Sequence, residues 1–323
     1  MTRPDSAPMP SAPSSDAPFF IVQNAGSGRS SAEELRATIS QILQSAGRSF
    51  TFFTVKDPRQ LTRMAQQALA RAKAEGGVVV AAGGDGTLNA VARVVLGSGV
   101  PFGILPQGTF NYFGRTYGIS QDNEVSTRSL LDAIVMPVQV GMLNGHAFLV
   151  NASLGLYPTL LEDREAFKQR YGRSRLVALW SGLVTLFRAH RQLTLTMDIE
   201  GQARRIRTPT LVIGNNALQL EHVGIEGGEA LTEGRLVAMG AKPVGTLALY
   251  KLLALGLVSR LGDAENVFSF DFERLVVDPK GTRRVKVAMD GEITHVQAPL
   301  VFTVATDRLA LLVPRDEAMR EQE

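Results

Sequence analysis

Apolar residues follow two rhythms along this chain, and the change of rhythm near Met136 divides it. In the first part, short apolar runs alternate with stretches of helical period. Phe19-Phe20-Ile21-Val22 reads as a buried strand. Ser31-Ala32-Glu33-Glu34 reads as a capping box opening a helix with Leu35, Ile39, Ile42 and Leu43 on one face, and Gly47 stops it. Phe50 to Val55 is the next strand, after which Asp57-Pro58 offers an N-cap and a proline at the first helical position for a helix ending near Gly76-Gly77. Strands at 78–82 and 102–105, with a helix starting near Thr87 between them, complete a βαβαβα series. That series predicts a parallel sheet with ligands bound beyond the carboxyl ends of its strands.

Beyond Met136 the pattern changes to alternating strands with short turns: Gln192 to Ile199, Arg204 to Ile213, Arg235 to Met239, Val267 to Val277, Arg284 to Ala288, Leu300 to Ala305 and Leu309 to Val313. This predicts an antiparallel β domain. Whether the last strand returns to the first domain is left open by the pattern. The expected division is a tail over 1–17, an α/β domain over 18–135, a β domain over 136–314 and a tail over 315–323.

Two turns carry the candidate chemistry. Ala81-Ala82-Gly83-Gly84-Asp85-Gly86-Thr87-Leu88-Asn89 leaves the β-branched run 78–80, and Leu105-Pro106-Gln107-Gly108-Thr109-Phe110-Asn111 follows one helix and one strand later. Gly83, Gly84 and Gly86 are expected to take backbone conformations closed to other residues and to leave no Cβ between the chain and a triphosphate. Backbone N–H groups and the following helix N-terminus would then face the anion, with Thr87 and Asn89 adding side-chain hydrogen bonds. An acid among phosphates, Asp85, makes sense with Mg²⁺ or a proton to accept, which points to phosphoryl transfer. A Gly-Asp-Gly by itself is ordinarily a β-turn. The strand before, the helix after and the partner turn downstream favour the phosphate reading.

These two turns resemble the catalytic domain of the diacylglycerol kinase family, which includes sphingosine and ceramide kinases and bacterial soluble lipid kinases. The likeness runs from about Phe19 to Pro314 and takes in Asn24-Ala25-Gly26-Ser27-Gly28 as a first nucleotide loop and Met289-Asp290-Gly291-Glu292 as an Asp-Gly-Glu motif. The glycine turn over 83–87 alone is shared with NAD kinases and resembles the phosphofructokinase loop. Four motifs in order are more specific.

The resemblance implies an α/β nucleotide-binding domain, NAD kinase- and phosphofructokinase-like, followed by a mainly antiparallel β-sandwich, with the active site in the cleft between them. It places ATP against Asn24, Ser27, Gly28, Thr54, Gly83, Gly84, Asp85, Gly86, Thr87, Leu88, Asn89 and Thr109. It makes Glu292 the base that accepts the lipid hydroxyl proton, with Asp85 organising Mg²⁺ and the phosphates and Asp290 as a further catalytic acid. Base and metal roles of these acids are exchangeable without contradicting the sequence. Several positions depart from the family pattern. Ala25 replaces a usual proline, Ala90 a frequent glutamate, and Tyr112 an aspartate of a carboxylate and Mg²⁺ network. A structural metal loop, usually Asp-Gly, reads Glu233-Gly234, leaving Glu233 as the candidate metal ligand.

Composition narrows the alternatives. At 323 residues, 45% hydrophobic and 20% charged, the chain has enough apolar residues for a large core. It has no cysteine and therefore neither disulfides nor a thiolate metal site. A net charge of +3 gives no general attraction to nucleic acid. There is no Walker A loop, no helical spacing among the four histidines, and Asn151-Ala152-Ser153-Leu154-Gly155 lacks the first glycine of a nucleophile elbow.

Five prolines in the first 18 residues predict a disordered tail without the apolar core of a secretory signal. No stretch approaches the roughly 20 apolar residues of a membrane span. Charge is uneven, however: from Arg164 to Arg207 there are ten basic residues against three acids. Within that stretch, Leu176, Leu179, Trp180, Leu183, Val184 and Phe187 share one face of an amphipathic helix expected over 175–191. The expectation is a cytoplasmic kinase, ATP- and Mg²⁺-dependent, that meets a lipid substrate peripherally at an anionic membrane surface. It binds no nucleic acid, and a homodimer is left open. The alternatives are an NAD-kinase-like enzyme and a non-catalytic lipid-binding relative.

Overall fold

The computed structural model describes residues 13–25, 29–107, 111–162, 192–243, 255, 265–317 and 320. The amphipathic helix expected over 175–191 lies outside them. The chain divides into two units, one made of 1–140 and 305–323, the other of 141–304.

The first unit follows the alternation predicted from the sequence. Its elements are β1 (Phe19–Asn24), α1 (Arg29–Ser45), β2 (Phe50–Val55), α2 (Leu61–Glu75), β3 (Val78–Gly83), α3 (Asp85–Val95), β4 (Phe102–Pro106), α4 (Tyr112–Thr116), α5 (Asn123–Leu131) and β5 (Ala133–Val138). The last strand of the chain, β18 (Leu309–Pro314), joins them. The sheet order is β2-β1-β3-β4-β18-β5, parallel except for β5, which runs antiparallel to β18.

Alternation along each strand divides the burial between two layers. Phe19 and Ile21, with Val78, Val80 and Ala82, face α1 through Leu35, Ile39 and Leu43 and α5 through Leu130. The intervening residues Phe20, Val22, Val79 and Ala81 are equally buried. The approach of α2 to the sheet is through the small residues Ala65, Ala68 and Ala72. Burial on both faces accounts for unbroken apolar runs such as Val78–Gly83.

Local signals set the helix ends, with one exception. Gly47, at φ +64, closes α1 by donating to Gln44 O at 3.0 Å while Arg48 N–H reaches Leu43 O at 2.8 Å. Asp57 caps a single 3₁₀ turn, Pro58–Gln60, that runs into α2, and Gly76 at φ +65 ends it. The capping box expected at Ser31 does not open α1, because the helix already begins at Arg29.

The second unit contains two six-stranded antiparallel sheets. Their strands are β6 (Gly141–Leu143), β7 (His146–Phe148), β8 (Asn151–Gly155), β9 (Leu193–Ile199), β10 (Gln202–Thr208), β11 (Thr210–Gly214), β12 (Leu236–Ala241), β13 (Val267–Phe272), β14 (Arg274–Pro279), β15 (Arg284–Met289), β16 (Glu292–Gln297) and β17 (Leu300–Val304). One sheet is β10-β9-β14-β17-β6-β7 and the other β13-β12-β11-β8-β15-β16. They share one core, to which the first contributes Phe148, Leu195, Leu275 and Phe302 and the second Leu154, Leu211, Phe272 and Val287. Two short helices, α6 (Ala217–His222) and α7 (Gly228–Thr232), belong to a satellite cluster around Leu220, Val237 and Met239.

Three sequence expectations change here. The run 204–213, read as one strand, is two strands in different sheets. Pro209 has no N–H to continue a ladder, and Thr208 turns its buried hydroxyl to Thr210 O and Ala241 O at 2.6 and 2.7 Å. The run 267–277 likewise changes sheet at Glu273, where neither glycine nor proline marks the break. The domain limits expected at 136 and 314 move to 141 and 304, because β5 and β18 both belong to the first sheet.

Ending the chain after Val304 removes β18, buried at all six positions, from between β4 and β5. Loss of soluble protein on expression is the expected outcome, whereas a chain ended after Glu317 keeps the far-UV circular dichroism of the full chain.

Candidate active site

Strand β3 delivers the chain, fully buried through Gly83, to Gly84, the extended N-cap of α3 at φ −75°, ψ 176°. The helix begins at Asp85, two residues before the expected Thr87. None of Gly83, Gly84 and Gly86 is among the left-handed glycines, so conformational freedom is not what these positions require. At Gly83 the need is for space. A Cβ on Gly83 would lie 2.7 Å from Cβ and Oγ1 of Thr87, while a Cβ on Gly84 would project where no protein atom stands within 4 Å. Thr87 and Leu88 return their N–H groups to Gly84 O at 2.8 and 3.1 Å. The N–H groups of Asp85 and Gly86 remain as first-turn donors at the positive end of an eleven-residue helix. Leu88 is a core side chain, 1% exposed, and offers a ligand only its backbone.

The second turn is fastened to the first. Gly83 and Pro106 are register partners at the ends of β3 and β4, and Gln107 N–H donates to Gly83 O at 2.9 Å. Asn111 N–H donates to the Asp85 carboxylate. Asn111 is fully buried in left-handed backbone, φ 41°, and packs so closely on Gly114 that a Cβ there would be 2.7 Å from its amide atoms. Asn24, at the end of β1, joins through its Nδ2, which donates to Thr87 Oγ1 at 3.2 Å. Thr54 lies next to it at the end of β2, its hydroxyl accepting from Arg36 at 3.0 Å. Ser27, Gly28 and Thr109 lie outside the described residues.

Burial pushes the Asp85 carboxyl above its ordinary value, and the Asn111 N–H pulls against that shift. Asn89, 2% exposed, and Asn111, 0% exposed, each keep both side-chain polar atoms buried without a hydrogen-bond partner. Orphaned buried amides call for a ligand or ordered water. Together with the helix N-terminus and the open space at Gly84, they fit a polyphosphate. For a divalent cation the first unit offers Asp85, an oxygen donor of the hard type that Mg²⁺ takes alongside substrate phosphates. Among the described residues no three His, Asp, Glu or Cys side chains gather into a metal cage.

In the second unit Asp290 and Gly291, at φ 48° and 84°, form the two-residue turn joining β15 to β16, with Met289 opposite Glu292. The Asp290 carboxylate accepts N–H bonds from Leu149, Val150 and Asn151 at 2.7, 2.8 and 3.0 Å, and Asp290 N–H donates to Asn151 O at 2.9 Å. An acid so occupied anchors the 149–151 loop, and little of its accepting capacity is left for substrate or metal. Glu292, one turn residue later, is exposed at the start of the edge strand β16. Glu233 is exposed just after α7, and the structure brings no cluster of acids to it among the described residues.

Sequence reasoning missed the polar residues that steady these turns. Gln107 and Asn111 tie the two glycine turns together. Asn215 donates to Leu149 O at 3.0 Å, and Gln219 accepts from Asn151 Nδ2 at 2.9 Å, so the loop held by Asp290 is gripped from a second side. The φ of Asn111 carries a signal, since asparagine tolerates left-handed backbone. The partners of Asp290 are about 140 residues away in sequence and carry none.

Residues 18–143 match the diacylglycerol kinase catalytic domain. An uncharacterized protein of Synechocystis is 26% identical over 247 residues, 73% of this chain and 55% of that protein. A diacylglycerol kinase of Bacillus subtilis is 29% identical over 146 residues, 44% of this chain and 47% of that protein. The chain thus spans about half the length of these curated relatives. The fold is shared with a crystal structure of a diacylglycerol kinase from Bacillus anthracis, with a TM-score of 0.65 at 16% identity, covering 94% of this chain and 98% of that one.

Replacing Asp290 by Ala leaves three backbone donors without their acceptor. A loss of about 2–4 kcal/mol in urea denaturation is expected. For Asp85 the sign runs the other way. Its carboxyl is raised in the folded state, so the folded protein holds the proton more tightly than the unfolded chain, and stability falls as pH rises through the folded value. Asp85→Asn is therefore expected to melt higher than wild type at pH 7 in the absence of nucleotide and metal. That gain should vanish once the pH drops below the ordinary carboxylate range of about 4.

Proposed function

With residues 18–143 matching the diacylglycerol kinase catalytic domain, we propose that the protein is an ATP- and Mg²⁺-dependent kinase that transfers the γ-phosphoryl group to a hydroxyl of diacylglycerol or a related sphingoid or ceramide-like lipid. One observation carries this reading. Gln107 and Asn111, on either side of the second turn, are hydrogen-bonded to Gly83 and Asp85 at the N-terminus of α3, where Asp85 is half-buried and two buried amides, Asn89 and Asn111, have no hydrogen-bond partner in the protein.

In this reading the ATP phosphates lie against the N–H groups of Asp85 and Gly86, over the open space at Gly84, with Asn24, Thr87 and Asn89 at their side. The chemistry that bound Mg²⁺ supplies is neutralisation of charge on the transferring phosphoryl group. Asp85 is the residue that would hold the ion. The lipid hydroxyl oxygen forms the new bond to phosphorus as the bond to the ADP oxygen breaks. Glu292 takes the hydroxyl proton. The anchoring of Asp290 gives the turn bearing Glu292 a fixed backbone from which to act. The substrate is met at an anionic membrane surface from the cytoplasmic side. No helix among the described residues is long and apolar enough to cross a membrane.

The test is transfer of radiolabel from Mg-ATP to a panel of lipids, with NAD in parallel. Labelled lipid without labelled NADP is expected, and the reverse result sinks the reading. Asp85→Asn and Glu292→Gln are each expected to cut turnover by about 10²-fold or more with unchanged circular dichroism. Near wild-type turnover in either variant removes that residue from the mechanism.

A further inference from the structure

The second unit has a cleft of about 470 Å³ on one of its sheets, lined by Arg205, Lys280, Arg283, Thr196, Thr282 and Asp278. Strand register builds one side of it. Arg205 on β10 lies opposite Thr196 on β9, which in turn lies opposite Asp278 on β14, so the three form a row across adjacent strands. The 280–283 turn builds the other side. Lys280 N–H donates to Thr194 O at 2.9 Å, Thr282 N–H to Pro279 O at 3.3 Å, and Ala298 N–H to Arg283 O at 2.8 Å, with Gly281 at φ +77° turning the chain. The backbones beneath the cations are thus fixed by pairing on both sides.

Two basic side chains of this unit are neutralised by acids. Arg235 is paired with Glu200 and Asp271, and Lys286 with Glu162. Among the described residues, Arg205, Lys280 and Arg283 have no ion pair, although three like charges around one concavity repel each other. One acid, Asp278, offsets only part of their charge. Two guanidinium groups, an ammonium and two threonine hydroxyls supply donors from several directions, which suits a tetrahedral, multiply charged oxyanion better than a single planar carboxylate. A long nucleic-acid track is less suited, because the neighbouring outward positions on β9 and β14 include Asp198 and Asp278.

We propose that this cleft is a phosphate-ester site, built from residues of the second unit alone. It is separate from the Asp290–Gly291 turn. Arg283 precedes β15 and the turn follows it, so six strand residues, about 20 Å, lie between the two. The ligand chemistry is a phosphate group, whose source is either a free phosphate compound or a lipid headgroup.

The experiment measures binding of inorganic phosphate and of glycerol 3-phosphate to the full chain by calorimetry. In parallel it measures co-sedimentation with phosphatidylcholine vesicles with and without phosphatidic acid. The triple variant Arg205→Gln, Lys280→Gln, Arg283→Gln is expected to weaken binding at least tenfold with unchanged circular dichroism, because all three side chains are exposed. Asp278→Asn, which removes a like charge from the ligand's surroundings, is expected to tighten it. Binding in solution that depends on the three cations identifies a free phosphate compound as the ligand. Dependence seen only with phosphatidic acid vesicles identifies the headgroup. Binding in neither arm, binding that survives the triple variant undiminished, or weaker binding by Asp278→Asn overturns the proposal. These readouts involve no catalysis, so they stand or fall apart from the kinase reading.

Discussion

The first unit depends on β3 and β4 ending together. Because Gly83 and Pro106 are register partners, the turns leaving the two strands emerge side by side, and Gln107 N–H can reach Gly83 O. From that bond the rest follows. Asn111 N–H meets the Asp85 carboxylate at the start of α3, and Thr87 folds back over a glycine that has no Cβ to block it. A parallel sheet with helices on both faces supplies the rigidity this requires. A one-residue slip of β4 would move Pro106 away from Gly83 and exchange the side chains that β4 presents to the two helical layers.

The surface so formed is organised at a cost to the protein's own stability. Asp85 is held where burial disfavours its charge, and Asn89 and Asn111 are held where their amides have no partner. A buried unsatisfied polar group costs about 1–3 kcal/mol. Two buried amides kept without partners, with an acid and a helix N-terminus in the same segment, are a feature of a binding site. The core around them, with Leu88, Val91 and Val95 buried along α3, keeps that polar end in place.

In the second unit the corresponding constraint is electrostatic. Asp290 gathers three N–H groups of the 149–151 loop onto one carboxylate and so fixes the turn between β15 and β16 to a distant part of the chain. The Asp-Gly-Glu motif therefore combines two kinds of acid. The aspartate is engaged by backbone donors, and the glutamate two residues later is exposed. Reading both as catalytic carboxylates, as the sequence invites, misses that division of labour.

Much of the first unit was legible in the sequence because its determinants are local. Strand-length apolar runs, helical periodicity ending at Gly47 and Gly76, and the Asp57-Pro58 start are each encoded within a few residues, and β1 to β4 fall where those signals put them, while α1 and α3 begin earlier than their expected starts. The glycine turns were legible as paired turns at the ends of adjacent strands for the same reason. Tertiary structure decided what depends on distant partners. It decided that β18 returns to the first sheet, a matter of which edge strand a neutral apolar run pairs with, and that the runs at 204–213 and 267–277 each divide between two sheets. Tertiary structure also decided that Gly83 is needed for the room it gives Thr87 and not for its φ, and that Asp290 is an anchor. A side chain's type and spacing are written in the chain, but its hydrogen-bond partners are selected only when strands far apart in sequence are brought into register.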